Sequence, residues 1–163
     1  MPGTGNFAQS YNRLLYAGGY VFIALLFSAC ASTPMSRDIL DHQPQKLGKN
    51  KELTDVPFFP QQAYQCGPAA LATILSYSGI DVTTEALVPK VYLPDRKGTL
   101  QVELIATTRR YGRLPYLLEP SMHALLEQIS QGKPVLVLQN LGVKWIPRLH
   151  FAVVVGYDLD KGE

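Results

Sequence analysis

Residues 61–71 read Gln61-Gln62-Ala63-Tyr64-Gln65-Cys66-Gly67-Pro68-Ala69-Ala70-Leu71, and no charged side chain occurs from residue 61 to residue 80. Ala69, Ala70, Leu71, Ile74, Leu75 and Tyr77 cover most of a helical circumference, which predicts a buried helix. Pro68 suits the first turn of that helix and Gly79 its left-handed stop. Cys66 therefore falls at the helix N-terminus. The positive end of the helix dipole, with N–H groups that have no intrahelical partner, favours a thiolate there and can hold an oxyanion. Gly67 leaves the backbone open to a substrate carbonyl. A second donor is on hand in Gln61, Gln62 or Gln65, whose neutral amides do not titrate. The bland alternative is a core cysteine, a common fate of a free thiol.

A nucleophile of this kind needs a base, and the chain has three histidines. His42 lies in a polar stretch and His123 on the first turn of an amphipathic segment. His150 opens the apolar run to Tyr157 and is the best placed as general base. No second histidine, cysteine or paired acid stands at metal-ligand spacing, so no metal site is expected.

Outward from the cysteine helix, Val56-Pro57-Phe58-Phe59-Pro60 reads as an extended apolar entry to the folded domain. Asp81 to Leu87 predicts a short surface helix and Pro94 to Gly98 a turn. Thr99 would cap a helix running to Tyr111, with Gly112 as its stop. Leu114 to Leu118 predicts a short strand, and Ser121 to Gln131 a helix capped by Ser121 and stopped by Gly132. Pro134 to Gln139 and Phe151 to Tyr157 are β-rich and predict an antiparallel hairpin across the nine residues Leu141–Leu149.

Composition fits one globular domain: 163 residues, 47% apolar, 17% charged, net charge +2. Without a dense basic run there is no footprint for nucleic acid, and without a Gly-rich loop before a helix there is none for ATP. No cofactor is expected. Leu14 to Ala29 are nearly all apolar or small, and Arg13 is the only charged side chain before Cys30. Sixteen residues is short for a span of about 20, so residues 1–29 read as a secretory signal. Phe27-Ser28-Ala29-Cys30 resembles the lipobox of bacterial lipoproteins, with Phe27 where leucine is usual. That resemblance implies acylation of Cys30 and an exported, membrane-anchored lipoprotein of the bacterial cell envelope, on the periplasmic side. An uncleaved anchor and soluble export are the alternatives. Residues 30–54, polar with Pro34, Pro44 and Gly48, read as a tether, and residues 55–163 as the folded domain. Acylation of Cys30 would leave Cys66 without a disulfide partner in an oxidising compartment.

The cysteine motif of residues 61–71, together with His150-Phe151-Ala152-Val153-Val154-Val155-Gly156-Tyr157-Asp158, resembles the bacteriocin-processing (double-glycine) type of cysteine peptidase over residues 53–163. The resemblance implies an α+β, papain-like fold, with an N-terminal nucleophile helix packed on an antiparallel sheet. It implies Cys66 as nucleophile and His150 as base, with a peptide or protein as substrate. The oxyanion glutamine of such peptidases lies six places before the cysteine. Pro60 holds that place here, so the role passes to Gln61, with Gln62 in reserve. Their third catalytic group is an aspartate about sixteen residues after the histidine, a position past Glu163, so the expectation is a domain incomplete at its C-terminus. Asp158 and Asp160 are poor substitutes, being too far along an extended strand from His150. Asn140, across the hairpin, is better placed to orient the imidazole. Relatives that trim leader peptides are fused to an ATP-driven transporter, for which this chain has no room. The expected function is an exported cysteine peptidase working through a Cys66 thioester. The alternatives are a non-catalytic peptide-binding lipoprotein, or an acyl or amide transferase using the same thioester.

Overall fold

The computed structural model describes Ile39 and residues 47–162. The leader, Cys30, His42 and most of the tether lie outside the described residues. Among the described residues no helix is long and apolar enough to cross a membrane.

The architecture is α+β. Strand β1 (Asn50–Glu52) is followed by helix α1 (Cys66–Tyr77), helix α2 (Thr84–Val91) and the short strands β2 (Tyr92–Leu93) and β3 (Gly98–Thr99). Then come helices α3 (Gln101–Arg110) and α4 (Met122–Ser130), and strands β4 (Val135–Asn140), β5 (Leu149–Val154) and β6 (Gly156–Asp158). The strands pair antiparallel as β1–β6, β2–β3 and β4–β5. The chain leaves β5 at Val155 and re-enters a ladder at β6, so the single apolar run 151–157 serves two sheets. Asn50–Glu52, at the end of the stretch read as tether, is a strand on β6. Hydrogen bonds from Leu53 N to Val155 O (2.8 Å) and from Leu159 N to Lys49 O (2.8 Å) extend that ladder at both ends.

Helix α1 is the axis of the core. Gly67 to Thr73 and Leu75 are all buried, as expected of a helix with no charged face. Leu71 and Leu75 pack with Leu87 and Val91 of α2, Leu104 of α3 and Phe151 of β5. Removing a Leu side chain of this kind from water contributes about 1.5–3 kcal/mol. A second cluster joins Leu126 and Ile129 of α4 to Ile39, Tyr157 and Leu159, with Val135 and Val154 against it. The β4–β5 hairpin therefore has apolar partners on both faces. Leu136, Phe151 and Val153 face the α1 cluster, while Val135 and Val154 face α4.

Three helices end on the glycines read as stops. At Gly79, Gly112 and Gly132 φ is +86°, +71° and +81°. Each has the same paired closure, for example Gly79 N to Ser76 O (2.9 Å) with Ile80 N to Leu75 O (3.0 Å), which satisfies the last free carbonyls. Ser121 caps α4 by accepting from Ala124 N at 3.1 Å. Elsewhere the elements differ from expectation. The second helix starts at Thr84, because the Thr83 hydroxyl accepts from Ala86 N, and it runs past Leu87 to Val91. Thr99 does not cap α3. It pairs with Tyr92 across a turn in which Lys97 is left-handed, and Leu100 takes the cap position without a side-chain bond. Leu114 to Leu118 is not a strand: no ladder receives it, Pro115 has no N–H to offer one, and Leu114 and Tyr116 are exposed.

Candidate active site

Cys66 is the first residue of α1 and is half-buried. The approach to it is a turn over Gln62–Gln65, closed by Gln65 N donating to Gln62 O at 3.1 Å, with Tyr64 at φ +64°. A left-handed tyrosine costs about 1–2 kcal/mol, and such strain gathers where backbone must be aimed. Gln65 takes the cap position, but its side chain caps nothing. The first intrahelical donor is Ala69 N, to Gln65 O at 3.2 Å, and Pro68 has no N–H. Among the described residues the N–H groups of Cys66 and Gly67 have no acceptor. The helix thus presents two free donors beside a thiol, with no acidic residue in its first turn.

Gly67 is held by a close neighbour. A Cβ at this position would lie 2.5 Å from Cβ and Oγ1 of Thr99. The hairpin β2–β3 is therefore laid directly on the first turn of α1, and only a glycine permits it. Thr99 Oγ1 is buried there without a hydrogen-bond partner.

His150 is the second residue of β5, and α1 packs on β5. Cys66 rests against the cluster that contains Phe151, the residue after His150. A cavity of about 340 Å³ separates Phe58, Phe59 and Gln61 of the entry segment from Ala69 and Thr73 of α1 and Ala152 and Val153 of β5. Cys66 lies one turn before Ala69 on its helix, and His150 lies two residues before Ala152 on its strand. Helical periodicity puts Cys66 on the side of α1 that carries Ala69, whereas strand periodicity puts His150 on the face of β5 that carries Ala152 and Val154, opposite the face of Phe151 and Val153. Among the described residues no hydrogen bond joins Cys66 Sγ to the imidazole, and His150 has no side-chain partner. Gln61 lines the cavity wall, which neither Cys66 nor His150 does. The amides of Gln61, Gln62 and Gln65 make no hydrogen bond among the described residues.

Asn140 is not the partner of the histidine. It stands opposite Leu149, and its Oδ1 accepts from Gly142 N (2.9 Å) and Arg148 N (2.8 Å), closing the hairpin loop. The expected loop of nine residues closes one residue earlier, with Leu141 N donating to Arg148 O at 2.8 Å. One residue of register exchanges the faces of a strand, so Gln139 stands opposite His150 instead. Asp158 and Asp160 are engaged elsewhere, with Lys161 (3.1 Å) and Lys49 (3.3 Å). His123 is exposed on α4, and no group of three or more metal-ligating residues occurs among the described residues. Sequence reasoning missed Gln139, Thr99 and the left-handed Tyr64. Counting ladder partners from a shorter loop would have found the first, whereas nothing in the local sequence marks the other two.

A cysteine opening a buried helix, packed on a hairpin strand whose second residue is histidine, defines an α+β domain of papain-like, cysteine-peptidase type. Residues 53–163 match the Peptidase_C39 like family, and the chain belongs to that family. Among curated proteins and among solved structures no match to this chain is found.

Proposed function

We propose that this domain is a cysteine peptidase that hydrolyses peptide bonds through a thioester on Cys66. Cys66 Sγ attacks the substrate carbonyl, and the oxyanion that forms is held by the free N–H of Cys66 with an amide from Gln61 or, failing that, Gln62. His150 carries the thiol proton to the leaving amine and then takes a proton from the water that cleaves the thioester. The observation that carries this reading is the pair of unpartnered N–H groups at Cys66 and Gly67 on a helix packed against the strand of His150. The chain is further proposed to be exported and anchored through a lipid on Cys30, which would restrict substrates to peptides outside the cytoplasm.

The test is trapping of a covalent acyl-enzyme on Cys66 by mass spectrometry, with peptide p-nitrophenyl esters as substrates. Wild type is expected to form and turn over the adduct. Cys66→Ala should form none, and His150→Ala should slow its formation by at least about tenfold, in the range of positioned acid–base catalysis. An unchanged rate in His150→Ala would remove the histidine from the mechanism. The lack of a bond between Cys66 and His150 favours a second reading, a peptide-binding domain without turnover. Peptide binding that survives Cys66→Ala, with no adduct in wild type, would establish it.

A further inference from the structure

The loop joining β4 to β5 carries an exposed apolar tip that the proposed chemistry does not use. Leu141, Trp145, Ile146 and Leu149 are each more than 60% exposed, and Val143 is half exposed. Its only charged side chains are Lys144 and Arg148, and no acidic residue occurs between Glu127 and Asp158. This tip is built rather than loose. Asn140 Oδ1 takes the N–H groups of Gly142 and Arg148, Leu141 N donates to Arg148 O, and Ile146 N donates to Val143 O at 3.0 Å. Pro147 has no N–H to satisfy, and a Cβ at Gly142 would run into Ile146 O, so only a glycine lets the loop fold this tightly.

We infer that the 141–149 tip is a membrane-docking element that inserts Leu141, Trp145 and Ile146 into the interface of an anionic bilayer, with Lys144 and Arg148 at the headgroups. Two properties suit the tip to a lipid surface. The charge is of one sign and complements anionic lipid, whose attraction is worth about 1 kcal/mol per basic residue near the surface. Half of the loop's backbone donors, those of Leu141, Gly142, Ile146 and Arg148, are already paired, which lowers the cost of taking the loop out of water. Tryptophan is also the residue most at home at headgroup depth. The inference rests neither on peptidase activity nor on acylation of Cys30.

Trp145 is the chain's single tryptophan, so its fluorescence reports the tip alone, even when the N-terminal apolar segment also binds lipid. The experiment adds the full chain to vesicles of phosphatidylglycerol and phosphatidylethanolamine. The expected result is a blue shift of the emission and quenching by lipids brominated on the acyl chain. Both should be lost in Leu141→Asp/Ile146→Asp and weakened in Lys144→Glu/Arg148→Glu. All four side chains lie in the exposed loop, and a thermal unfolding curve for each variant confirms that the fold is retained. Protein that sediments with vesicles while Trp145 stays unshifted and unquenched would overturn the inference. So would a blue shift without lipid that accompanies a doubling of mass, since the tip would then be covered by a second copy of this chain.

Discussion

Gln139 and His150 are directly opposed partners in the β4–β5 ladder. The bond from Leu141 N to Arg148 O marks a hydrogen-bonded pair two residues nearer the loop, and alternation makes Gln139 and His150 another, with their side chains on one face. An amide in that position can hold an imidazole in one orientation, as the third member of a cysteine–histidine set. Gln139→Ala is therefore expected to lower kcat by about tenfold, the equivalent of one hydrogen bond of ~1.4 kcal/mol, with KM little changed. Gln139→Asn, which keeps the amide, should recover part of that loss. Gln139 is exposed, so the unfolding midpoint should stay put. Equal losses in the alanine and asparagine variants would deny Gln139 a positioning role.

The contact between Gly67 and Thr99 predicts an unusually costly Gly→Ala change. In a helix interior alanine normally stabilises relative to glycine. Here the new methyl meets Cβ and Oγ1 of Thr99 at 2.5 Å and its Cγ2 at 2.8 Å, and the obstruction is short, branched and fixed in a strand. Gly67→Ala should cost about 1–3 kcal/mol, the usual penalty of overpacking. Adding Thr99→Gly should recover part of it, giving a positive coupling in a double-mutant cycle by urea unfolding. A neutral or stabilising Gly67→Ala would show that β3 does not lie on α1 as described.

Thr107, fully buried in α3, has a hydroxyl with no hydrogen-bond partner among the described residues. Neighbouring Thr108 shows the usual solution, donating to Leu104 O at 2.8 Å. A buried hydroxyl left unpaired costs about 1–3 kcal/mol, whereas a methyl of the same shape costs nothing there. Thr107→Val should raise stability by about 1 kcal/mol, seen as a higher urea midpoint with unchanged slope. A loss of that size would mean that the hydroxyl has a partner in solution.

The helix opened by Cys66 was legible because several local signals agree: a charge-free apolar wrap, proline in the first turn and glycine at the stop. The three glycine stops and the Ser121 cap were legible for the same reason, since each depends on residues within one turn. What failed depended on partners distant in sequence. Thr99 has the chemistry of a cap, but the ladder with Tyr92 claims its backbone first. Leu114 to Leu118 has the apolar composition of a short strand and no strand beside it. The hairpin itself was readable from two β-rich runs. Its register was not, because register depends on where the loop closes, and Asn140 helps close it one residue earlier than the nine-residue count suggests. Hence the side chain facing His150 was misread as Asn140, while the elements bearing Cys66 and His150 were read correctly.

At the far end of the fold, Asp158 predicts part of the acid sensitivity of the domain. Its carboxylate is paired with Lys161 at 3.1 Å and accepts from Asp160 N (3.0 Å) and Lys161 N (3.1 Å). The hydrogen bond with the Lys161 side chain, then that with the Lys161 backbone, holds its pKa below the ordinary 3.8. A carboxyl whose folded value is depressed stabilises the fold above its unfolded value, and that contribution is lost as pH falls through the folded one. Urea midpoints should therefore decline between about pH 5 and pH 2. Asp158→Asn keeps an oxygen for the two backbone donors and removes only the charge. That variant should start lower at neutral pH and show a shallower acid decline. Parallel curves for the two proteins would show that the Lys161 pairing does not contribute to stability.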